Sequence, residues 1–499
     1  MIVVGVQTGS ANADAQREAG ATALVLTGPQ RAAAVQEAQA GAAATARAIG
    51  LSGQEKLLVR DVVKDADGTV HTRYERTYEG LPVLGGDLVV HQKKNGARAT
   101  TKATGARISV PTTEAEAPAA TARSTARKVI WAATGKPTLA WETVVTGVQH
   151  DGTPSERHVI TDASTGKELY AYEAIETGTG NTQYSGQVTL GTTPGYTLTD
   201  AARGGHKTYD LNGGTNGTGS LFTNSTDTWG NGLASNRETA AADAHYGAAV
   251  TWDFYKNELG RNGIRGDGVA AYSRVHYGNA YVNAFWSDSC FCMTYGDGAG
   301  NAKPLTSLDV AGHEMTHGLT AATAGLRYSK ESGGLNEATS DILGTAVEFY
   351  AANATDAGDY LIGEKIDIRG NGTPLRYMDT PSRDGSSADY WSTKVARLDV
   401  HHSSGPANHF FYLLSEGSGT KTLNGVTYNS ATYDGSTLTG IGRTKAYKIW
   451  YKALSTYMTS STTYAGARTA TLSAATDLYG ANSPEYTAVA KAWTAINVK

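Results

Sequence analysis

The sequence predicts an α+β protein in two parts: a pair of small α+β units, then a larger body whose β-rich half is followed by an α-helical half. Three observations carry this. Short apolar runs separated by Gly-containing turns dominate residues 56–105 and 141–172. Breaks rich in Pro, Thr and Ala, or in Gly and Thr, interrupt the chain at 110–125 and 176–181. From Leu308 onward the apolar spacing is mainly helical. At 499 residues the chain is too long for one core, and 40% hydrophobic residues suffice for several. With 59 glycines and only 18% charged residues it reads as ordered and loop-rich, not disordered. A net charge of −4 without a long basic run gives no reason to expect nucleic acid or an anionic membrane as partner. No run of about 18 apolar residues is present to span a membrane, and a monomer is expected.

Residues 1–6 are apolar, and Ala11-Asn12-Ala13 and Ala13-Asp14-Ala15 each fit a small-x-small cleavage site. The basic leader and longer apolar core of a signal peptide are missing. Residues 1–15 therefore read as the tail of a truncated or mis-started one, with a merely disordered start as the alternative. Residues 16–50 are Ala-rich, which predicts weak surface helices or disorder. From Lys56, Leu57-Leu58-Val59, Val62-Val63, Val70-His71-Thr72 and Leu88-Val89-Val90 read as strands. Asp67-Gly68, Glu79-Gly80, Gly85-Gly86 and Asn95-Gly96 read as the turns between them. This first unit spans 16–110, and 111–125 is its linker. Residues 126–133 read as a helix. Strands near 141–148, 158–162 and 168–172 complete a second unit over 126–177. The stretch 176–181 looks flexible enough to be cut. Residues 178–320 form the β-rich half, with one long helix at 238–257, and 321–499 the helical half. Helical periodicity marks 308–323, 336–352, 406–416, 438–456 and 464–478. A cleft between two such halves is a natural active site.

The sharpest motif is His313-Glu314-Met315-Thr316-His317. Positions i and i+4 share a helix face, so both imidazoles can reach one Zn²⁺. Glu314, about 100° round the helix, then stands beside the metal's open position instead of on the metal. Alone, this motif leaves open a pair of structurally satisfied histidines. A second signal decides between the readings: Asn336-Glu337-Ala338-Thr339-Ser340-Asp341 opens another helix. Glu337 completes a His₂Glu set with an open fourth position, the pattern of catalytic zinc. Asp341, one turn on, can accept the second ring N–H of a zinc-bound His. The two cysteines, Cys290 and Cys292, flank Phe291. As a metal site C-x-C says little, and in a secreted chain an even count suggests a bridge; whether they are bridged stays open here.

At this point the chain resembles the thermolysin family of metallopeptidases over most of residues 180–499. The motifs are Asn283-Ala284-Phe285-Trp286, Tyr295-Gly296-Asp297-Gly298, the His313–His317 helix, Gly334-Leu335-Asn336-Glu337-Ala338 and Val400-His401-His402-Ser403-Ser404-Gly405. The helix with Asp243-Ala244-His245-Tyr246 also resembles the family's first long helix. The N-terminal units resemble the family's propeptide: a fungalysin/thermolysin propeptide domain around residues 74–83, then a PepSY domain. The resemblance implies a two-domain catalytic unit with zinc in the cleft, and roles for residues that the pattern alone does not select. Tyr328 and His401 would donate to the oxyanion. Asn283, the Ala284 carbonyl and Arg376 would hold the substrate backbone. Leu305, Val310, Ile362 and Leu375 would line an apolar pocket for the residue after the cut. Two departures stand out. The position five residues before His401, where many relatives carry the Asp that orients it, is Ala396, and Asp399 is the expected substitute, as in the pseudolysin-like branch. Cys290-Phe291-Cys292 looks inserted after the substrate-binding strand and is placed to reshape the non-primed side of the cleft.

Calcium is implied as well. Asp309 lies one turn before His313, Glu348 three turns after Glu337, and Asp359 and Glu364 follow. Carboxylates so clustered are costly to bury without a cation, and hard oxygen ligands suit Ca²⁺. Relatives with a double site carry a further Glu where this chain has Leu361, so one calcium is expected, with the Leu361 carbonyl as a ligand. The alternative is plain surface charge. Together these readings predict a secreted zinc endopeptidase acting on proteins and peptides, made as a precursor whose propeptide aids folding and blocks the site. A non-catalytic zinc-binding or adhesive scaffold and a zinc hydrolase of small amides or esters are the rival readings.

Overall fold

The computed structural model describes residues 24, 26, 28–118, 124–148, 154–174, 177–193 and 195–499. The signal-peptide reading of residues 1–15 lies outside them. The chain divides into two compact units, Met1–Ile175 and Glu176–Lys499.

The first unit opens with two helices, α1 (Gly28–Ala40) and α2 (Ala42–Ala48), where the Ala-rich composition predicts weak ones. Ala42 and Ala46 are buried against Leu57, Tyr74, Leu88 and Val90. The strands follow: β1 (Glu55–Lys64), β2 (Val70–Tyr78), β3 (Leu81–Leu84), β4 (Leu88–Gln92), β5 (Arg98–Lys102), β6 (Ser124–Trp131), β7 (Thr138–Val148), β8 (Pro154–Asp162) and β9 (Glu168–Glu173). The helix expected at 126–133 is instead strand β6. Its Ala, Arg and Lys favour a helix locally, but Val129, Ile130 and Trp131 are buried, and β6 pairs along its whole length with β7. It also pairs in parallel with β3 through Val83 and Ile130. The two N-terminal units read from sequence thus share one sheet, in the order β5-β4-β2-β3-β6-β7-β8-β9, with β1 paired to β2.

The second unit begins with β10 (Thr177–Asn181), where composition suggests a flexible break. This strand pairs antiparallel with β11 (Gln187–Gly191) and parallel with β15 (Thr228–Trp229). Its order comes from ladder hydrogen bonds on both edges, which composition does not report. A second sheet joins β12 (Thr199–Asp200), β13 (His206–Asp210), β16 (Tyr272–Val275), β18 (Cys292–Tyr295) and β17 (Ala284–Ser287) in that order, with β14 (Ser220–Leu221) on β13. Strand β17 is therefore an edge. Helix α3 (Arg237–Leu259) is capped by the Asn236 side chain and ends at Gly260, and its length is mostly buried.

The helical half holds α4 (Leu308–Ala321), α5 (Lys330–Ala351), α6 (Val400–Ser403), α7 (Gly405–Glu416), α8 (Arg443–Thr456), α9 (Tyr464–Tyr479) and α10 (Pro484–Ala495). It adds the ribbons β19 (Leu361–Ile362) with β20 (Arg376–Tyr377) and β21 (Gly419–Leu423) with β22 (Val426–Ser430). Helix α5 begins at Lys330, not at the expected Asn336, because Gly333-Gly334 interrupt the apolar pattern of its first turns. Helix α10 was not anticipated, although Ser483 as cap and Pro484 behind it are its signal. One core runs through both halves, from Tyr255, Met293 and Tyr295 through Met315, Leu335 and Ile342 to Phe410, Trp450 and Trp493. Helices α4 and α5 meet backbone to backbone: a Cβ on Gly344 would fall 2.7 Å from the Asp309 carbonyl oxygen. Among the described residues no helix is long and apolar enough to cross a membrane.

Candidate active site

Helix α4 carries His313, Glu314 and His317, and α5 carries Glu337 and Asp341. The i, i+4 spacing brings the two imidazoles to one face, with their Nε2 atoms 3.1 Å apart. Glu337 reaches them from the facing helix, its Oε2 3.5 Å from His313 Nε2 and its Oε1 3.4 Å from His317 Nε2. Each ring is held from behind. His313 Nδ1 donates to Asp341 Oδ1 at 2.8 Å, and His317 Nδ1 to Asn336 Oδ1 at 2.7 Å. The Asn336 amide is fixed the right way round because its Nδ2 donates to the Leu326 carbonyl at 2.9 Å.

Because both Nδ1 atoms donate, in the neutral rings both Nε2 atoms turn lone pairs toward one another and toward the Glu337 carboxylate. Three such groups repel unless a positive charge sits among them. Glu337 Oε2 is buried and has no hydrogen-bond partner. Burial works against a charged His313, yet the Asp341 hydrogen bond and the Glu337 charge outweigh it and raise its pKa to about 9. The surroundings thus favour a cation at this point. Two imidazoles and a carboxylate, each backed by a second hydrogen bond, fit zinc.

Glu314 is buried beside this set, and burial raises its pKa against the opposing charges of His313 and His317. The Trp286 backbone N–H of strand β17 also faces its carboxylate. A carboxylate with a raised pKa next to a metal position is suited to take up and return a proton. Tyr328 Oη donates to Glu337 Oε1 and lies 3.3 Å from His401 Nε2. His401 is oriented by Asp399, which caps α6: Asp399 Oδ1 accepts the His401 backbone N–H at 3.0 Å and its Nδ1–H at 2.7 Å. Asp399 therefore fills the place left by Ala396.

Arg376 is held by Asp341 through Nε at 2.8 Å and Nη2 at 2.6 Å. Asp341 Oδ2 also accepts from Asn408 Nδ2 at 2.8 Å. Strand β20 places Arg376 opposite Ile362 of β19, and the Leu375 N–H donates to the Ile362 carbonyl at 2.7 Å. Leu305, Val310 and Ile362 are buried in the main core, and Leu375 is half-buried. Asn283 is exposed at the start of edge strand β17, and Ala284 is buried as its first residue. Cys290 and Cys292 form a disulfide.

The acidic cluster gathers Glu348, Asp356 and Glu364, with ligand atoms within 4.8 Å of one another. Glu348 Oε1, Glu364 Oε2 and both Asp356 oxygens are buried without a hydrogen-bond partner, though the Lys365 ammonium stands 3.4 Å from Asp356 Oδ1. Burial raises the pKa of all three, to about 6 for Asp356 and about 10 for Glu364. Unpartnered oxygens of this kind fit Ca²⁺. Of the other expected ligands, Asp309 spends its carboxylate on Ser307 Oγ and the Gly363 N–H, at 2.5 and 2.6 Å. Asp359 Oδ1 accepts the Leu361 N–H at 2.6 Å. Sequence reasoning missed Asn336, Asn408 and Asp356. Asn336 adjoins Glu337 and Asp356 lies in an acidic loop, so both had a signal; nothing in the sequence singles out Asn408.

The family model for the thermolysin metallopeptidase catalytic domain matches residues 177–321, and that for its alpha-helical domain matches 324–498. The Fungalysin/Thermolysin Propeptide Motif matches 55–97. The chain is 59% identical over 533 residues to the transglutaminase-activating metalloprotease of Streptomyces mobaraensis, covering 100% of this chain and 70% of that protein. It is 36% identical over 501 residues to a thermolysin of Alicyclobacillus acidocaldarius subsp. acidocaldarius, covering 90% and 87%. It is 33% identical over 511 residues to a bacillolysin of Bacillus cereus, covering 90% and 86%. With its zinc-type cluster, its two-part catalytic unit and its propeptide motif, the chain belongs to the thermolysin family of metallopeptidases.

Proposed function

We propose that the chain is the precursor of a secreted endopeptidase that cuts internal peptide bonds before a bulky apolar residue, with Glu314 as general base. The observation that carries this is the convergence of two imidazole lone pairs and the Glu337 carboxylate beside buried Glu314. His313, His317 and Glu337 would hold zinc, whose chemistry is Lewis acidity toward a peptide carbonyl and acidification of water. Glu314 takes a proton from the attacking water and returns it to the leaving amine. Tyr328 and His401 donate to the oxyanion as it develops, where loss of one donor costs about 10²–10³ in rate. Asn283, the Ala284 carbonyl and Arg376 hold the substrate backbone. Leu305, Val310, Ile362 and Leu375 receive the residue after the cut. Glu348, Asp356 and Glu364, bordered by Asp309 and Asp359 and joined by the Leu361 carbonyl, hold one structural Ca²⁺.

The relative from Streptomyces mobaraensis is named for activating a transglutaminase, which supports protein substrates over small amides. The propeptide, which carries the motif at 55–97, acts as intramolecular inhibitor and folding aid, and is removed by a cut in the stretch 176–181, made by the enzyme itself. A purified Glu314→Gln precursor should stay unprocessed; one that matured alone would end the self-cleavage reading. Casein hydrolysis by matured protein, with and without a zinc chelator, tests the main proposal. The chelator should abolish activity and zinc restore it. Glu314→Gln should lose about 10³-fold or more while still binding zinc. An inactive, correctly processed, zinc-loaded wild type would point instead to a non-catalytic scaffold.

A further inference from the structure

The hairpin between β17 and β18 carries a feature that the catalytic reading leaves unused. Cys290 and Cys292 are bridged across a single residue, with Cα atoms 5.3 Å apart. Phe291 between them sits in the left-handed region, φ 54°, which bulky residues rarely adopt unaided. The bridge therefore fixes where the Phe291 side chain points. Its ring meets the Trp286 ring edge to face, centroids 5.2 Å apart, and the Arg265 guanidinium lies over it, 3.7 Å from its centroid. Trp286 belongs to edge strand β17, and its indole Nε1 donates to Asp288 Oδ1 at 2.7 Å. The indole also lies flat on helix α4. A Cβ on Gly318, the residue after His317, would fall 2.6 Å from Trp286 Cζ2. A continuous stack thus runs from Arg265 through Phe291 and Trp286 to the helix that carries His313, Glu314 and His317.

We propose that the Cys290–Phe291–Cys292 knuckle is a substrate-positioning device: it fixes the outer end of β17 and so sets the grip on substrate residues before the scissile bond. The proposal rests on the endopeptidase reading. With the residue after the bond seated among Leu305, Val310, Ile362 and Leu375, the residues before it extend along the free edge of β17. From Ala284 to Ser287 that edge is only about 10 Å long at ~3.3 Å per residue, so a peptide with three or more residues on this side reaches the knuckle. A shorter one does not. Phe291 touches no reacting atom; it acts through Trp286.

Matured wild type, Phe291→Ala, Phe291→Tyr and the double variant Cys290→Ser/Cys292→Ser would be compared on two quenched fluorogenic peptides. One carries four residues before the cleaved bond, the other a single blocked residue, with Leu after the bond in both. For Phe291→Ala and the double variant, KM on the long peptide should rise about tenfold, the scale of one lost aromatic contact, with kcat within about twofold. The short peptide should be cleaved as by wild type, and Phe291→Tyr should restore the long-peptide KM. Equal losses on both peptides, or unchanged KM in both disruptive variants, would overturn the knuckle's role and leave the protease reading intact. A wild type that cleaves neither peptide would overturn both.

Discussion

Asp341 shows how much one buried side chain can organise. Its two oxygens accept from His313 Nδ1, from Arg376 Nε and Nη2, and from Asn408 Nδ2. Burial opposes its charge, but Arg376 and His313 hold its pKa well below the usual carboxylate range. It therefore orients a zinc-type ligand and neutralises the largely buried Arg376 guanidinium at once. Asp341→Ala should leave Arg376 as an unpaired, largely buried charge. We expect a loss of about 3–5 kcal/mol in unfolding free energy, read from denaturant midpoints. A loss under about 1 kcal/mol would show that Arg376 finds other partners. The sequence exposed Asp341 because it follows Glu337 by one helical turn. It did not expose Asn408, which reaches Asp341 only through the packing of α7 on α5.

At the scale of elements, the decisive contact is between α4 and α5. Their ligands converge where Gly344 and Gly312 let the two backbones touch, near Asp309 and His313. Gly344→Ala should push the helices apart. The expected outcome is about 1–3 kcal/mol of destabilisation from overpacking, with zinc released about tenfold more readily to a competing chelator. Wild-type values for both would mean that the helix pair tolerates the added methyl group. The sequence located α3, α4, α7 and α9 to within about two residues, because each buries a long face, but began α8 at 438 where the structure begins it at Arg443, after Gly440 and Gly442. It failed at β6, where local helix propensity lost to pairing on both edges, and at β10, where Gly and Thr looked like a linker but lie in a ladder.

For the molecule as a whole, the acidic cluster sets a pH dependence that calcium should remove. Burial raises the pKa of Asp356 to about 6 and of Asp359 to about 7, and lifts Glu348 and Glu364 further. A carboxyl whose folded pKa exceeds its unfolded value, about 4, binds its proton more tightly when folded. Stability is then full below about pH 4 and falls as pH rises through the folded values. In a calcium chelator, the unfolding temperature of the matured protein should drop steadily between about pH 5 and 8. With calcium present the carboxylates are wanted in their charged form and the drop should vanish. A chelated protein with a flat profile over that range would remove the cluster as a cation site.

The sequence by itself determined the chemistry of the zinc-type set and the broad order of strand-rich and helix-rich regions. His313, Glu314 and His317 are local to one helix, and Glu337 and Asp341 to another, so spacing alone places each group on its face. Tertiary structure decided everything that depends on two backbones meeting. It joined β3 to β6 across the linker and drew Asp356 into the acidic cluster. It turned Asn336 and Asn408 onto the ligand network, and it seated Phe291 on Trp286. Periodicity reports which way a side chain faces within its own element; the partner it meets there is set by the packing of distant segments.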